Sequence, residues 1–381
     1  MSRLADALFM LAVTLGLAVY VLVANPLHLS QSAGGDFPYY VQIAAAPLDN
    51  AVPSPWRYRL LNPVMASWLM NAGLTAEAAF FALTSVFAWI SCVLMQIYLR
   101  DLGLSGPASR AGTLLFAVSV GAYIPLRRYF GYTDALTNAL ILLVLILALR
   151  RRYAHVTVAL ALGAVAKESL LLLVPFLAWR AVRDGQWRAA ASMVAAPIAV
   201  FLVLRIIIAA DSSGSSPMAL TWSTQLEYWQ TAMVHGIARW VLWSFAYSMG
   251  PIWLLAAVAL RENTKFAATL LPYALAILAP LTRTTDTERA LMLLFPIVIP
   301  IAAHAIEQCR GRRVALVASL TVAATWLAQL TFDWSATMRL GPVNAKDMTF
   351  AALCVLPAIM VLAARQRQRA RPLTWAATPS Y

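Results

Sequence analysis

Apolar residues in this chain come in long blocks instead of alternating with polar ones. Blocks able to cross a bilayer as helices fall at about 5–24, 78–99, 108–126, 134–149, 188–208, 238–260, 266–281, 290–306, 314–331 and 348–364. The stretch 153–179 differs: it is apolar over 27 residues but interrupted near its middle by Lys167 and Glu168. Read as one span, it would put Arg180, Arg183 and Arg188 on the outer side. Read as a hairpin of two short helices with Lys167 and Glu168 at the tip, it returns them to the inner side and restores the alternation of the chain. The pattern therefore predicts an all-α fold: a polytopic transmembrane helical bundle of about 12 spans, including a short helical hairpin. The first block is long for a signal peptide and no clear small-residue cleavage site follows it, so it reads as an uncleaved first helix.

Composition supports this class. Hydrophobic residues make up 61% of the chain, charged residues 12%, and the mean hydropathy is +0.72. A soluble fold is nearer 45–50% apolar and about 25% charged, and could not hide this much apolar surface. The net charge of +13 then bears on orientation. With the hairpin, 18 of the 29 basic residues but only five of the 16 acidic ones fall on the inner side, which thus carries the whole net charge. The remaining eleven of each sign leave the outer side neutral. This is the positive-inside distribution. It predicts an inner (plasma) membrane protein, multi-pass, with both termini cytoplasmic and the unusual polar residues on the extracytoplasmic face. No nucleic-acid recognition motif accompanies the basic charge, so nucleic acid is not expected as a partner. Cys92, Cys309 and Cys354 lie far apart in or beside apolar segments, and His28, His155, His235 and His304 are scattered, so neither a disulfide framework nor metal-ligand spacing is present.

The organisation expected is a single transmembrane domain over 1–381. It has an outer loop at 25–76 whose later part, Arg59 to Met70, reads as an amphipathic surface helix. A second outer loop runs over 209–237, and a basic cytoplasmic tail over 365–381.

The outer face carries the candidate chemistry. GGDFPYY places Asp36 in a glycine-aromatic setting with Tyr39 and Tyr40. PWRYR offers Arg57 and Arg59, whose guanidinium groups point the same way in an extended segment and can clamp a phosphate. RRYFGYTDAL brings Arg127 and Arg128, against the positive-inside trend, and Asp134 where the next span begins. Asp134 there either caps that helix or faces a polar cavity. AKES puts Lys167 and Glu168 inside an apolar stretch, where each costs roughly 2.5–3.5 kcal/mol on insertion scales, with mutual pairing offsetting part. TRTTDTER adds Arg283 and Arg289. Ionisable groups are nearly absent from the middle of the spans, which favours chemistry at the outer membrane surface, on something anionic and amphipathic, over ion-coupled transport.

At these residues the chain resembles the GT-C superfamily of membrane glycosyltransferases, which use polyprenyl-phosphate-linked sugars. The likeness is carried by Asp36 in GGDFPYY after the first span, Asp134 in GYTDAL, and Lys167-Glu168 in AVAKESLLLLVP at a hairpin tip. PWRYRLLNP and TDTERALMLLFP are also similar to stretches of bacterial members that build cell-surface glycans. Many members carry paired acids in the first outer loop and a large outer C-terminal domain; here Asp36 stands alone and no such domain follows. The resemblance implies a polyprenyl-phosphate sugar donor with its tail in the bilayer, and a glycan or lipid-linked acceptor. Asp36 is then the general base for the acceptor hydroxyl. Arg57, Arg59, Arg127, Arg128 and Lys167 stabilise the charge left on the phosphate, with Arg283 and Arg289 adding to that site. Glu168 orients Lys167, or Asp134 holds the acceptor. A divalent metal is compatible with this chemistry but not required by it, because no dense acid cluster is present. The other function classes are a flippase for a lipid-linked glycan and a non-catalytic subunit of a surface-glycan assembly system.

Overall fold

A computed structural model describes residues 3–24, 36–48, 52–53, 56–128, 130–208, 248–279, 287–309, 312–331, 345–364 and 373. These residues are helical almost throughout, with no strand among them. The outer loop 209–237, most of the tail 365–381 and Arg283 lie outside the described residues. The chain divides into two compact units: the described residues within 1–98 and 121–214, and those within 99–120 and 215–376.

The first unit holds α1 (Arg3–Ala24), α2 (Phe37–Ala45), α3 (Leu61–Asn71), most of α4 (Ala76–Asp101), α6 (Tyr123–Arg128), α7 (Asp134–Leu149), α8 (Tyr153–Ala166), α9 (Val174–Arg183) and α10 (Trp187–Ile207). The second holds α5 (Gly106–Phe116), α11 (Pro251–Leu260), α12 (Thr264–Thr269), α13 (Leu271–Leu278), α14 (Thr287–Met292), α15 (Phe295–Glu307), α16 (Arg312–Thr331) and α17 (Ala345–Ala364). By length and composition, four helices among the described residues can cross a membrane: Leu4–Ala24, Ala76–Asp101, Gly106–Arg128 and Trp187–Ile207. Several others are apolar but shorter.

Burial separates two kinds of apolar helix. α7 is apolar on all sides and buried at nearly every position, so it forms the centre of the first unit. α1 and α10 are as apolar but turn Leu8, Leu15, Val19, Ile198, Leu202 and Ile206 outward. Rows of exposed aliphatic side chains are unstable in water and natural in lipid.

Several blocks that the pattern shows as continuous are broken in three dimensions, each for a local reason. The 108–126 block passes through a π-turn at Ala117–Gly121, where Ser119 leaves helical geometry and its hydroxyl bonds the Leu115 carbonyl at 2.6 Å. The 266–281 block stops at Leu270 and restarts as α13, because Pro272 has no N–H to continue the ladder. Pro296 likewise opens α15 after a turn at Leu293 and Leu294. The stretch expected as a surface helix contains α3, which packs on α2 and α8 and leaves Trp68 exposed.

The 153–179 stretch does turn back on itself. α8 ends at Ala166, Lys167 is extended (φ −166°, ψ 132°), a 3-10 turn follows over Glu168–Leu173, and α9 completes the return. The Tyr153 hydroxyl, at the start of α8, donates to the Asp184 carboxylate just past α9, so the two ends of the stretch are neighbours. Gly163 makes the tight return possible: a Cβ there would lie 2.5 Å from Leu170 Cδ2.

One turn departs from its equivalents. α3, α4 and α9 each end with the same pair of backbone bonds and a left-handed glycine, Gly73, Gly103 or Gly185. α7 ends with the same pair, Arg151 N–H to Ala148 and Arg152 N–H to Leu147, but the left-handed residue is Arg151 at φ 56°. A side chain in that conformation costs roughly 1–2 kcal/mol that glycine avoids.

Candidate functional site

The site is built on the end of the first unit where α7 begins and the hairpin tip lies. α2 starts at Asp36, whose carbonyl accepts from Tyr39 and Tyr40 N–H, with Pro38 in the first turn. Phe37 anchors this start. It is buried edge-on against Phe80, at 5.4 Å between ring centroids, and beside Phe130 at 5.6 Å. Its ring fits only because position 131 is glycine: a Cβ there would lie 2.1 Å from Phe37 Cδ2. Thus GGDFPYY and FGYTD, far apart in sequence, are packed on each other through Phe37 and Gly131.

Tyr132 completes that junction. Its hydroxyl accepts the Asp36 backbone N–H at 3.2 Å, its ring meets the Tyr40 ring edge-on at 6.0 Å, and its carbonyl accepts from Asn62 Nδ2 at 3.3 Å. The Asp36 carboxylate makes no capping bond to its own helix and is half-buried. Tyr39 stacks on Trp56 at 4.8 Å.

The charged residues at the tip are sorted by the extended backbone of Lys167. Successive side chains of an extended segment point to opposite sides, so Lys167 and Glu168 each pair with a different residue. Lys167 Nζ lies 2.7 Å from Asp134 Oδ1, both largely buried. Glu168 receives both Nε and Nη2 of Arg59, with Nε at 3.0 Å, in a bidentate pair, while Arg59 Nη1 donates to the Tyr40 hydroxyl at 3.0 Å. Burial alone would lower the pKa of Arg59; Tyr40 and Glu168 outweigh it and push it up, so the guanidinium stays charged. Glu168 holds Arg59 and not Lys167, and three of the five Arg59 donors are engaged within the protein. Arg59 therefore ties the segment before α3 to the hairpin tip. Asp134 is the first residue of α7, but it spends its carboxylate on Lys167.

The remaining candidates are placed as follows. Arg57 is buried in the 3-10 turn Trp56–Tyr58, 5.9 Å from the Tyr58 ring centroid. Arg127 donates to the Tyr123 hydroxyl and lies over that ring, which sits beside Tyr20 of α1. Arg128 follows it at the end of α6. Arg289 lies on α14 in the second unit. Two participants were not singled out from the sequence. Tyr132 carries no sequence signal beyond its place in GYTD. Arg205, near the end of α10, lies 4.3 Å from the Tyr58 ring centroid, and an arginine close to the end of a span reads in sequence as a lipid anchor. Among the described residues no three His, Cys, Asp or Glu side chains are grouped as metal ligands would be.

The site therefore brings three acids (Asp36, Asp134 and Glu168), a lysine, an arginine and two tyrosines from three separate segments to one end of a helix bundle, with apolar helices around it. No family model matches the chain, and no curated protein matches it in sequence.

Proposed function

We propose that the chain is a membrane glycosyltransferase of GT-C type, moving a sugar from a polyprenyl-phosphate donor to a cell-envelope or lipid-linked acceptor at the extracytoplasmic face of a bundle of about 12 spans. The observation that carries this reading is the junction of Asp36 with the Asp134–Lys167 and Arg59–Glu168 pairs through Tyr40 and Tyr132. A half-buried carboxylate held by its backbone, at the start of the helix whose Tyr40 accepts from Arg59, suits a base acting next to a phosphate leaving group. In this reading Asp36 takes the proton of the acceptor hydroxyl as that oxygen attacks the anomeric carbon, and the sugar–phosphate bond breaks with its electrons going to the phosphate. Lys167 and Arg57 stabilise the departing phosphate, while Arg59, Glu168 and Tyr132 position the parts.

The test is transfer from radiolabelled undecaprenyl-phosphate hexoses and pentoses in membranes containing the full chain. Asp36→Asn is expected to lower the rate about 10²–10⁴-fold at unchanged expression. Normal transfer by that variant removes Asp36 as the base. Absence of transfer by the unaltered chain with every donor returns the protein to the non-catalytic or flippase class.

A further inference from the structure

The opposite end of the first unit carries a second charged cluster that sugar transfer does not use. The α7–α8 turn holds Arg150, Arg151 and Arg152, while Arg183 ends α9 and Arg188 lies in the first turn of α10; all five are exposed. Asp184 binds the two turns together: its Oδ2 takes the Tyr153 hydroxyl and lies 3.5 Å from Arg151 Nε and 3.8 Å from Arg180 Nε. Two of the six arginines on these turns, Arg151 and Arg180, thus lie against one carboxylate.

Three further features say what this surface meets. Trp179 and Trp187 are 41% and 69% exposed beside the arginines, and Arg183 lies 5.1 Å over the Trp179 ring. Tryptophan in that position marks the headgroup level of a bilayer. Directly along α8 and α10, Val158, Leu162, Ile198 and Leu202 are exposed, so an apolar wall adjoins the cationic patch in the order in which a phospholipid sets its acyl chains below its phosphate. Finally, the centre of the patch is Arg151, which occupies the left-handed position that glycine fills in the three equivalent turns. A residue held in an unfavourable backbone conformation points to a use for its side chain.

We propose that this end of the unit is a binding surface for anionic diacylphospholipids, with the phosphate seated among Arg150, Arg151, Arg152 and Arg183 and the acyl chains against α8 and α10. The proposal is independent of glycosyl transfer. Arginine is suited to phosphate by its planar fork of donors, and juxtamembrane basic clusters attract anionic lipid.

The experiment follows the thermal unfolding of the full chain in detergent by intrinsic fluorescence, with dioleoylphosphatidylglycerol or dioleoylphosphatidylcholine added at equal mole fraction. A ligand that binds the folded state raises Tm. Phosphatidylglycerol is expected to raise it by several degrees more than phosphatidylcholine. R150Q/R151G/R152Q is expected to lose most of that difference, and R183Q/R188Q, which leaves the α7–α8 turn intact, to lose part of it. R261Q/K265Q, an equal-sign change elsewhere in the chain, should retain it. R151G alone, measured without lipid, should unfold no earlier than the unaltered chain because the strained turn is relieved. The proposal is overturned if both lipids act equally, if both arginine variants keep the full phosphatidylglycerol effect, or if R261Q/K265Q loses as much as they do. A soluble oligonucleotide that matches phosphatidylglycerol would also overturn it, by making the surface a general polyanion site.

Discussion

Replacing Lys167 with methionine removes one side of the ion pair that joins the hairpin tip to the start of α7. The pair is 2.7 Å long, and its side chains are 11% and 18% exposed. That exposure lies far closer to the buried limit, where removing one partner costs about 3–5 kcal/mol, than to the surface limit of about 0.2–1 kcal/mol. Residual solvent access lowers the expected loss to about 2–4 kcal/mol. The loss arises because the Asp134 carboxylate would keep its burial while losing the ammonium group 2.7 Å from it. At about 2–4 °C per kcal/mol for a unit of 150–250 residues, Tm should fall by roughly 4–16 °C. Asp134→Asn should cost a comparable amount by stranding the lysine. The double variant K167M/D134N strands neither charge, so it should recover part of the summed loss, a coupling of about 1–3 kcal/mol. The assay is thermal unfolding by intrinsic fluorescence in one detergent at one scan rate, since irreversible unfolding makes Tm depend on the rate of heating. The reasoning is refuted if the single variants stay within about 2 °C of the unaltered chain, as at an ordinary surface site, or if the two losses simply add.

Other outcomes follow from the same site. Gly131→Ala drives a methyl group into the Phe37 ring and should lose about 1–3 kcal/mol by overpacking; a smaller partner, in G131A/F37L, should recover part of it in the same unfolding assay. Arg59→Lys keeps the charge but replaces the bidentate grip on Glu168, and the bond to Tyr40, with a single point contact; a loss of about 1–3 kcal/mol is expected, and an unchanged Tm would show that the fork is not needed. Tyr132→Phe removes the acceptor of the Asp36 N–H. It should cost only about 1 kcal/mol of stability while lowering kcat for sugar transfer more than it changes donor KM; equal loss in both would make Tyr132 a binding residue instead.

Much of the architecture is legible in the chain because the bilayer demands it. Apolar blocks with no polar face have to become helices, since in lipid no other single segment satisfies its own backbone. The hairpin at Lys167 and Glu168 follows from the same demand: two charges are costly in the middle of an apolar stretch and tolerable at a tip. Asp36, Tyr40, Arg59, Asp134, Lys167 and Glu168 could be nominated because each is a polar residue at odds with its apolar or neutral surroundings. Sequence by itself also marks the arginine-rich turns, as part of the charge asymmetry.

What the tertiary structure decided is the pairing. Arg59 and Glu168 are 109 residues apart, and nothing in either local sequence selects the other. The choice depends on α3 packing against α8 and on the extended geometry of Lys167, which sends its side chain to Asp134 and that of Glu168 away from it. Tyr132 acquired its role in the same way, through a glycine beside it that admits Phe37 and thereby brings Asp36 within reach. The breaks at Ser119 and Leu270 and the left-handed Arg151 are likewise invisible to hydropathy, which records how apolar a residue is but not how its backbone turns. Sequence thus set the solvent each segment requires, whereas the packing of helices against one another set which charge meets which.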